Sequence, residues 1–238
     1  YVICLMLSTV NGKCSGSFYK LPEVDAARAA NAVARSFYDC GSILYGSRTM
    51  TESYGTYTPA DAKEAGDGAF PRTDYLARSE VKDYMISIDP AGTVRLPDKY
   101  IVRNGRPKAH VIEVLSEKVS DDYLAYLRSL DVSYIFGGRE TLDLSLVLHK
   151  LWKYFQIEKL LIAGGGIVNQ TFLASGLIDE ISLIIAPACA GEASAVSVFE
   201  PSPFSPNSEP VPLRLLECRT MDGGSVWLRY APGNVHKA

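Results

Sequence analysis

Residues 159–180 read KLLIAGGGIVNQTFLASGLIDE, and this stretch constrains the fold most. A short apolar run, residues 160–163, predicts a buried strand. Three glycines follow, Gly164, Gly165 and Gly166, then a helical pattern with Val168, Phe172 and Leu173 near one face and Gly176 where a left-handed stop belongs. Strand, glycines and helix together make an anion site. Without Cβ atoms the backbone approaches a ligand closely, and the first N–H groups of the helix face it with the positive end of the dipole. A pyrophosphate is the expected guest. The same residues also suit a plain tight turn, and the spaced GxGxxG fingerprint is absent.

The rest of the chain repeats the alternation. Residues 1–7, YVICLML, are almost wholly apolar, as in a strand buried on both faces. A polar loop with a turn at Asn11-Gly12 leads to an amphipathic helix over residues 22–38, with Val24, Ala27, Ala30, Asn31, Ala34 and Phe37 near one face. Strands are expected at 42–45, 84–88, 109–115, 132–136 and 181–186. Helices are expected at 121–130, capped by Ser120, and at 143–155. Residues 213–218 and 226–230 read as an antiparallel hairpin about the Asp222-Gly223-Gly224 turn. Residues 52–74 have no period and read as a long loop or lid, and residues 201–212 as a proline-rich excursion. This predicts one α/β domain over residues 1–238: three layers around a mostly parallel sheet, closed by a C-terminal antiparallel hairpin. Four loops leave strand carboxyl ends, at 8–13, 46–49, 137–138 and 164–166. Ligands of such sheets bind at that edge, where these loops are expected to converge.

A formal net charge of −3 is too mild for a nucleic-acid or membrane partner. No apolar run approaches the length of a membrane span, and the chain opens directly on a strand-like segment, so no signal peptide is expected. Five scattered cysteines without a CxxC pair argue for a reducing, cytoplasmic setting and against a zinc site. The three histidines suggest neither a metal site nor a general base, and GxSxG and P-loop patterns are absent.

YGSRTM at residues 45–50 is similar to the strand–Gly–Arg–Thr element of dihydrofolate reductases, and IAGGGIVNQTFL at 162–173 looks like their second cofactor loop. Asn11-Gly12-Lys13 and GLIDEISLIIAP at 176–187 more closely resemble the C-terminal reductase domain of the riboflavin-biosynthesis deaminase/reductase RibD, which shares the dihydrofolate reductase fold. The resemblance implies a homodimeric, cytoplasmic, NADPH-dependent reductase of a small heterocyclic or ribosylamino substrate, of the 5-amino-6-(5-phosphoribosylamino)uracil reductase type. Carried over residue by residue, Gly46, Arg48 and Thr49 hold cofactor phosphates. Gly164, Gly165, Gly166, Ile167 and Val168 hold the pyrophosphate, and Ser87 and Asp89 meet the adenosine ribose. Thr9, Asn11 and Gly12 line the nicotinamide and substrate side, and Glu180 is a recurrent acid placed with them. The resemblance identifies no catalytic residue.

The chain departs from that pattern at two places. Ala163 stands where these reductases usually carry Glu before the paired glycines, and Asn11 where they carry Asp. For the phosphoribosyl group the first helix offers only Arg28 and Arg35. A carboxylate such as Asp89 accepts from a free ribose 2′-OH but repels a 2′-phosphate, which keeps NADH open. Two other readings stand beside the first. A folate reductase needs an inward carboxylate on the first helix, for which Asp25 is the candidate. A non-catalytic nucleotide-binding protein would bind cofactor without turnover.

Overall fold

The structure, a computed structural model, describes residues 1–55, 70–102, 106–205 and 209–233. In chain order the elements are β1 (Val2–Thr9), α1 (Val24–Tyr38), β2 (Ser42–Gly46), α2 (Ser47–Tyr54), β3 (Tyr84–Ile88), β4 (Tyr100–Ile101), β5 (Ala109–Ser116), α3 (Asp121–Ser129), β6 (Ser133–Gly138), α4 (Leu144–Phe155), β7 (Leu160–Ile162), α5 (Gly166–Ala174), β8 (Glu180–Ala186), β9 (Leu213–Thr220) and β10 (Val226–Pro232). Two compact units result, one from Tyr1–Cys40 with Lys159–Ala238, the other from Gly41–Glu158.

In the first unit β1 lies between β7 and β8 and runs parallel to both. All eight of its residues are buried, which is why its first six, Val2 to Leu7, are a continuous apolar run rather than an alternating one. β10 adds antiparallel to β8, and β9 adds antiparallel to β10, forming the expected hairpin. α1 packs on β1 and β8. Its buried residues, Val24, Ala27, Ala30, Ala34 and Tyr38, keep helical spacing. Phe37, expected on the buried face, is instead 52% exposed, while its neighbour Tyr38 turns inward. The exposed face of Phe37 carries the Arg229 guanidinium, 4.6 Å from its ring centre, and its edge meets Trp227.

In the second unit β3 runs parallel to β2 and to β5, and β6 continues parallel along the far edge of β5. β4, absent from the sequence expectation because it has two residues, pairs antiparallel with the start of β5. α3 and α4 pack on β6. Both helices start on a capping side chain. Ser120 Oγ accepts from Tyr123 N–H, and Asp143 Oδ1 accepts from Ser145 and Leu146 N–H. α2 occupies residues for which the sequence predicts a loop. Its residues Ser47, Arg48 and Thr49 are in fact the first turn of a helix that begins where β2 ends. Of the expected 52–74 loop, residues 52–54 belong to α2 and residues 56–69 lie outside the described residues. Where the chain is next described, Arg72 anchors it to the start of α3. Its guanidinium donates to Glu117, Val119 and Phe70 carbonyls and pairs with Asp121 at 2.5 Å.

Candidate functional site

The glycine loop lies in the first unit. Gly164 has φ +104, a conformation that side chains rarely adopt, and the Gly164–Gly165 peptide is cis. Gly165 is the N-cap of α5, and no side chain caps that helix or places an acid in its first turn. α2 shares both features, with Gly46 as N-cap. α3 and α4 do not, since their first-turn amides meet Ser120 and Asp143. Helix starts without a side-chain acceptor keep N–H groups and the positive dipole end for an anion. Ile167 is 44% exposed at this start, and Val168 is half-buried. Gly166 is required by crowding rather than by dihedral: a Cβ there would sit 2.4 Å from the Ser197 carbonyl oxygen.

The loop after β1 is ordered by its own side chains. Thr9 Oγ1 donates to Asn11 Oδ1 at 2.7 Å and accepts from Lys13 N–H at 3.0 Å. Asn11 Nδ2 donates to the Ala190 carbonyl, and Asn11 Oδ1 accepts from Ala190 N–H. Gly12 turns at φ +75, and a Cβ added there would meet nothing within 4 Å. Thus Asn11, which occupies the place of an expected acid, is spent on a loop–loop clasp that needs both a donor and an acceptor. An aspartate offers only acceptors.

Residues 195–200 tie this loop to the glycine loop. The Val198 N–H donates to the Gly12 carbonyl at 3.0 Å, and Lys13 Nζ donates to Ser197 Oγ at 3.0 Å. At the other end Glu200 N–H donates to the Gly166 carbonyl, and the buried Asn169 amide of α5 donates to the Val198 carbonyl at 2.7 Å. The structure therefore joins Thr9, Asn11 and Gly12 to Gly166 through one strap. Lys13, Asn169, Ser197 and Glu200 join the site through pairings that are long-range except for the three-residue Ser197–Glu200 turn, and no local motif marks them. Cys14 lies in the same cluster, but burial pushes its thiol up to about 11, which disfavours the reactive thiolate.

In the second unit Arg48 is on the first turn of α2 with its side chain 82% exposed, and its Nε donates to Glu52 at 2.9 Å. Thr49 is half-buried beside it. Tyr45, two residues before the α2 start, receives a hydrogen bond from Arg106. Ser87 and Asp89 follow in register, Tyr45 facing Ser87 and Gly46 facing Ile88. Neither fits the ribose role assigned to it. Ser87 is fully buried beside the Glu113 carboxyl. Asp89 is 1% exposed, and its oxygens accept from Thr93 N–H, Thr93 Oγ1, Val94 N–H and the Tyr123 hydroxyl. A carboxylate so engaged folds the turn after β3 and is not free to choose between a 2′-OH and a 2′-phosphate.

Glu180 also moves. It pairs with Ile3 at the start of β8, whereas Thr9 pairs with Ala186 at the other end. At about 3.3 Å rise per residue the two lie roughly 20 Å apart. Its carboxylate is filled by Arg229 at 2.6 Å, the Tyr1 hydroxyl at 3.0 Å and the Tyr38 hydroxyl. Glu180 is thus the centre of a buried core network. Asp25 is exposed and pairs with Arg28 at 2.6 Å, so the inward carboxylate wanted by the folate reading is not supplied by α1. His110 is buried with Nε2 at 2.9 Å from Ser133 Oγ, His149 packs on Trp152, and His236 lies outside the described residues. Among the described residues no three His, Cys, Asp or Glu side chains gather as a metal would require. No described helix is long and apolar enough to cross a membrane.

Comparison with known proteins places the chain. The family model of the RibD C-terminal domain matches residues 1–227. The 2,5-diamino-6-ribosylamino-4(3H)-pyrimidinone 5′-phosphate reductase of Methanothermobacter thermautotrophicus is 28% identical over 127 residues, 53% of this chain and 57% of that protein. The reductase of the same name from Aquifex aeolicus is 28% identical over 106 residues, 44% of this chain and 46% of that protein. The match thus spans about half the length of these curated relatives. Among solved structures, a pyrimidine reductase-like protein from Corynebacterium diphtheriae superposes with a TM-score of 0.67 at 17% identity, covering 98% of this chain and 92% of that one. Acinetobacter baumannii RibD gives 0.61 at 22%, covering 98% and 58%. These likenesses carry the fold, the mixed α/β architecture with mostly parallel strands that the resemblance implied. The model match runs through the residues of both units, so the chain belongs to the RibD C-terminal domain family.

Proposed function

We propose that this chain is an NADPH-dependent reductase of a phosphoribosylamino-pyrimidine, acting as its named relatives do. The observation that carries the reading is the glycine-preceded helix α5, whose first turn holds neither a capping side chain nor an acid. When bound, the nicotinamide cofactor supplies the hydride. The protein's part is placement. The amides of Gly166, Ile167 and Val168, after Gly164 and Gly165, take the pyrophosphate, while Gly46, Arg48 and Thr49 take a further phosphate. Thr9, Asn11 and Gly12 border the nicotinamide and substrate, with Lys13 as the cation beside them. NADPH is favoured over NADH because Asp89, the acid that would oppose a 2′-phosphate, is used up inside its turn. A homodimer would dock its second copy on β9, and the exposure of Leu213, Leu215 and Leu216, at 44%, 51% and 40%, supports that reading.

The test is titration with NADPH and NADH followed by tryptophan fluorescence from Trp152 and the buried Trp227. Micromolar NADPH binding is expected, weaker for NADH, and lost in Gly166→Val, whose side chain must displace the Ser197 carbonyl. Turnover of the aminopyrimidine then distinguishes the reductase from a nucleotide-binding protein without activity. Absence of binding to either nucleotide would overturn the reading.

A further inference from the structure

The strap at residues 195–200 is organised by one carboxylate. Glu200 Oε1 accepts from the Ser197 N–H at 2.5 Å, closing a tight turn. That turn aims the Ser197 carbonyl at Gly166, where a Cβ would meet it at 2.4 Å, and the Ser197 hydroxyl at Lys13 Nζ, 3.0 Å away. The Glu200 N–H meanwhile binds the Gly166 carbonyl at 3.1 Å. The Ser197 N–H first, and the Lys13 ammonium after it, hold the Glu200 carboxyl below the usual carboxylate range, so it stays charged beside that cation. Lys13 has a flexible four-carbon stem, and a flexible cation serves chemistry only when its head is held.

We propose that Glu200 is a positioning residue: through Ser197 it fixes the Lys13 ammonium at one spacing from the N-terminus of α5. Lys13 then offers its charge to an anionic or carbonyl oxygen of the molecule being reduced, while α5 holds the cofactor phosphates. The two loops are locked to each other by the strap, so cofactor and substrate are registered by the same residue. This inference deepens the reductase reading and rests on it for its kinetic consequence. The contact itself stands on the hydrogen bonds alone.

The experiment follows Lys13 directly. Lysines are reductively methylated with 13C, which keeps their charge, and the Lys13 signal is assigned by its loss in Lys13→Arg. In the unaltered chain the Lys13 signal is expected away from the crowd of exposed lysines. It should collapse into that crowd in Glu200→Ala and in Ser197→Ala, and hold its place in Glu200→Gln, which keeps an acceptor for the Ser197 N–H. In parallel, kcat should fall on the order of 10-fold in Glu200→Ala with the NADPH Kd within about twofold, and Glu200→Gln should recover most of it, as expected for a small misplacement of a reacting group. An unmoved Lys13 signal in Glu200→Ala and Ser197→Ala overturns the proposal. So does a loss of NADPH binding equal in the Ala and Gln variants, which would mark Glu200 as a brace of the loop. If Glu200→Ala fails to fold, Glu200→Leu, which keeps the bulk and removes the acceptor, carries the same decision. If the unaltered protein binds no NADPH, the reductase reading falls, and the methyl signals still decide the Lys13 contact.

Discussion

At the scale of single residues, two buried titratable groups set opposite limbs of the stability profile. Glu113 lies in β5 with no exposure, and neither of its carboxyl oxygens has a hydrogen-bond partner among the described residues. Burial first, and the Asp89 carboxylate after it, push its proton affinity well above the usual range, so it is neutral in the fold. A folded value raised above the unfolded 4.5 means stability that is full below 4.5 and is lost as pH rises through the folded value. His110 behaves in the other sense. Burial, aided by the Lys99 ammonium and opposed by Asp131, lowers it from 6.5 to about 4, so its contribution is present above 6.5 and is lost as pH falls through about 4. We expect Glu113→Gln to raise the Tm at neutral and alkaline pH, with a gain that shrinks to nothing below about 4.5. His110→Gln should flatten the acid limb between 6.5 and 4. Thermal melts across pH 4–9 check both; a Glu113→Gln gain independent of pH would show that packing rather than charge governs the site.

At the scale of elements, the starts of α2, α3, α4 and α5 divide into two kinds, and the sequence signals differ accordingly. α3 and α4 announce themselves by Ser120 and Asp143. α5 announces itself by its glycines, while α2 was invisible because a strand, one glycine and Ser-Arg-Thr carry no apolar period. Asp143→Ala should cost about 1 kcal/mol, as loss of a cap does. Urea melts of the variant read it directly; an unchanged midpoint would mean that the Ser145 and Leu146 amides find water as good a partner. The apolar strands were legible for a related reason. β1 is buried along its whole length, so its first six residues form one apolar run, and β5, also buried throughout, is interrupted only by His110 and Glu113 before Ser116. β4 was not legible, since two residues have no period to show.

At the scale of the whole molecule, β9 is the element whose burial is least explained by one copy. Seven of its eight residues are exposed, on both faces, and it pairs only with β10 among the described strands. An exposed apolar edge strand is a standing invitation to association. Light scattering should give twice the 26.0 kDa chain mass, and Leu215→Lys should return it to 26.0 kDa without loss of secondary structure. A monomer in the unaltered chain would remove the homodimer from the proposal.

The sequence by itself determined the elements that depend on local causes: apolar runs for strands buried on both sides, 3.6-residue spacing for α1 and α4, side-chain caps, and glycines where a positive φ or a close contact forbids a Cβ. It also contained the family, since order and spacing of several segments survive in one chain. The tertiary structure alone decided which polar residues meet. Glu180 reads as a companion of Thr9, Asn11 and Gly12, yet parallel pairing with Ile3 sets it at the other end of β1 from Thr9. Asp89 reads as a ribose acceptor, yet its turn consumes it. Lys13 is far in the chain from Ser197 and Glu200, and only the return of residues 195–200 past β1 and α5 brings the three into one strap. Periodicity reports the neighbours a residue has along its own element, whereas hydrogen bonds across the fold are fixed by packing, which no local pattern encodes.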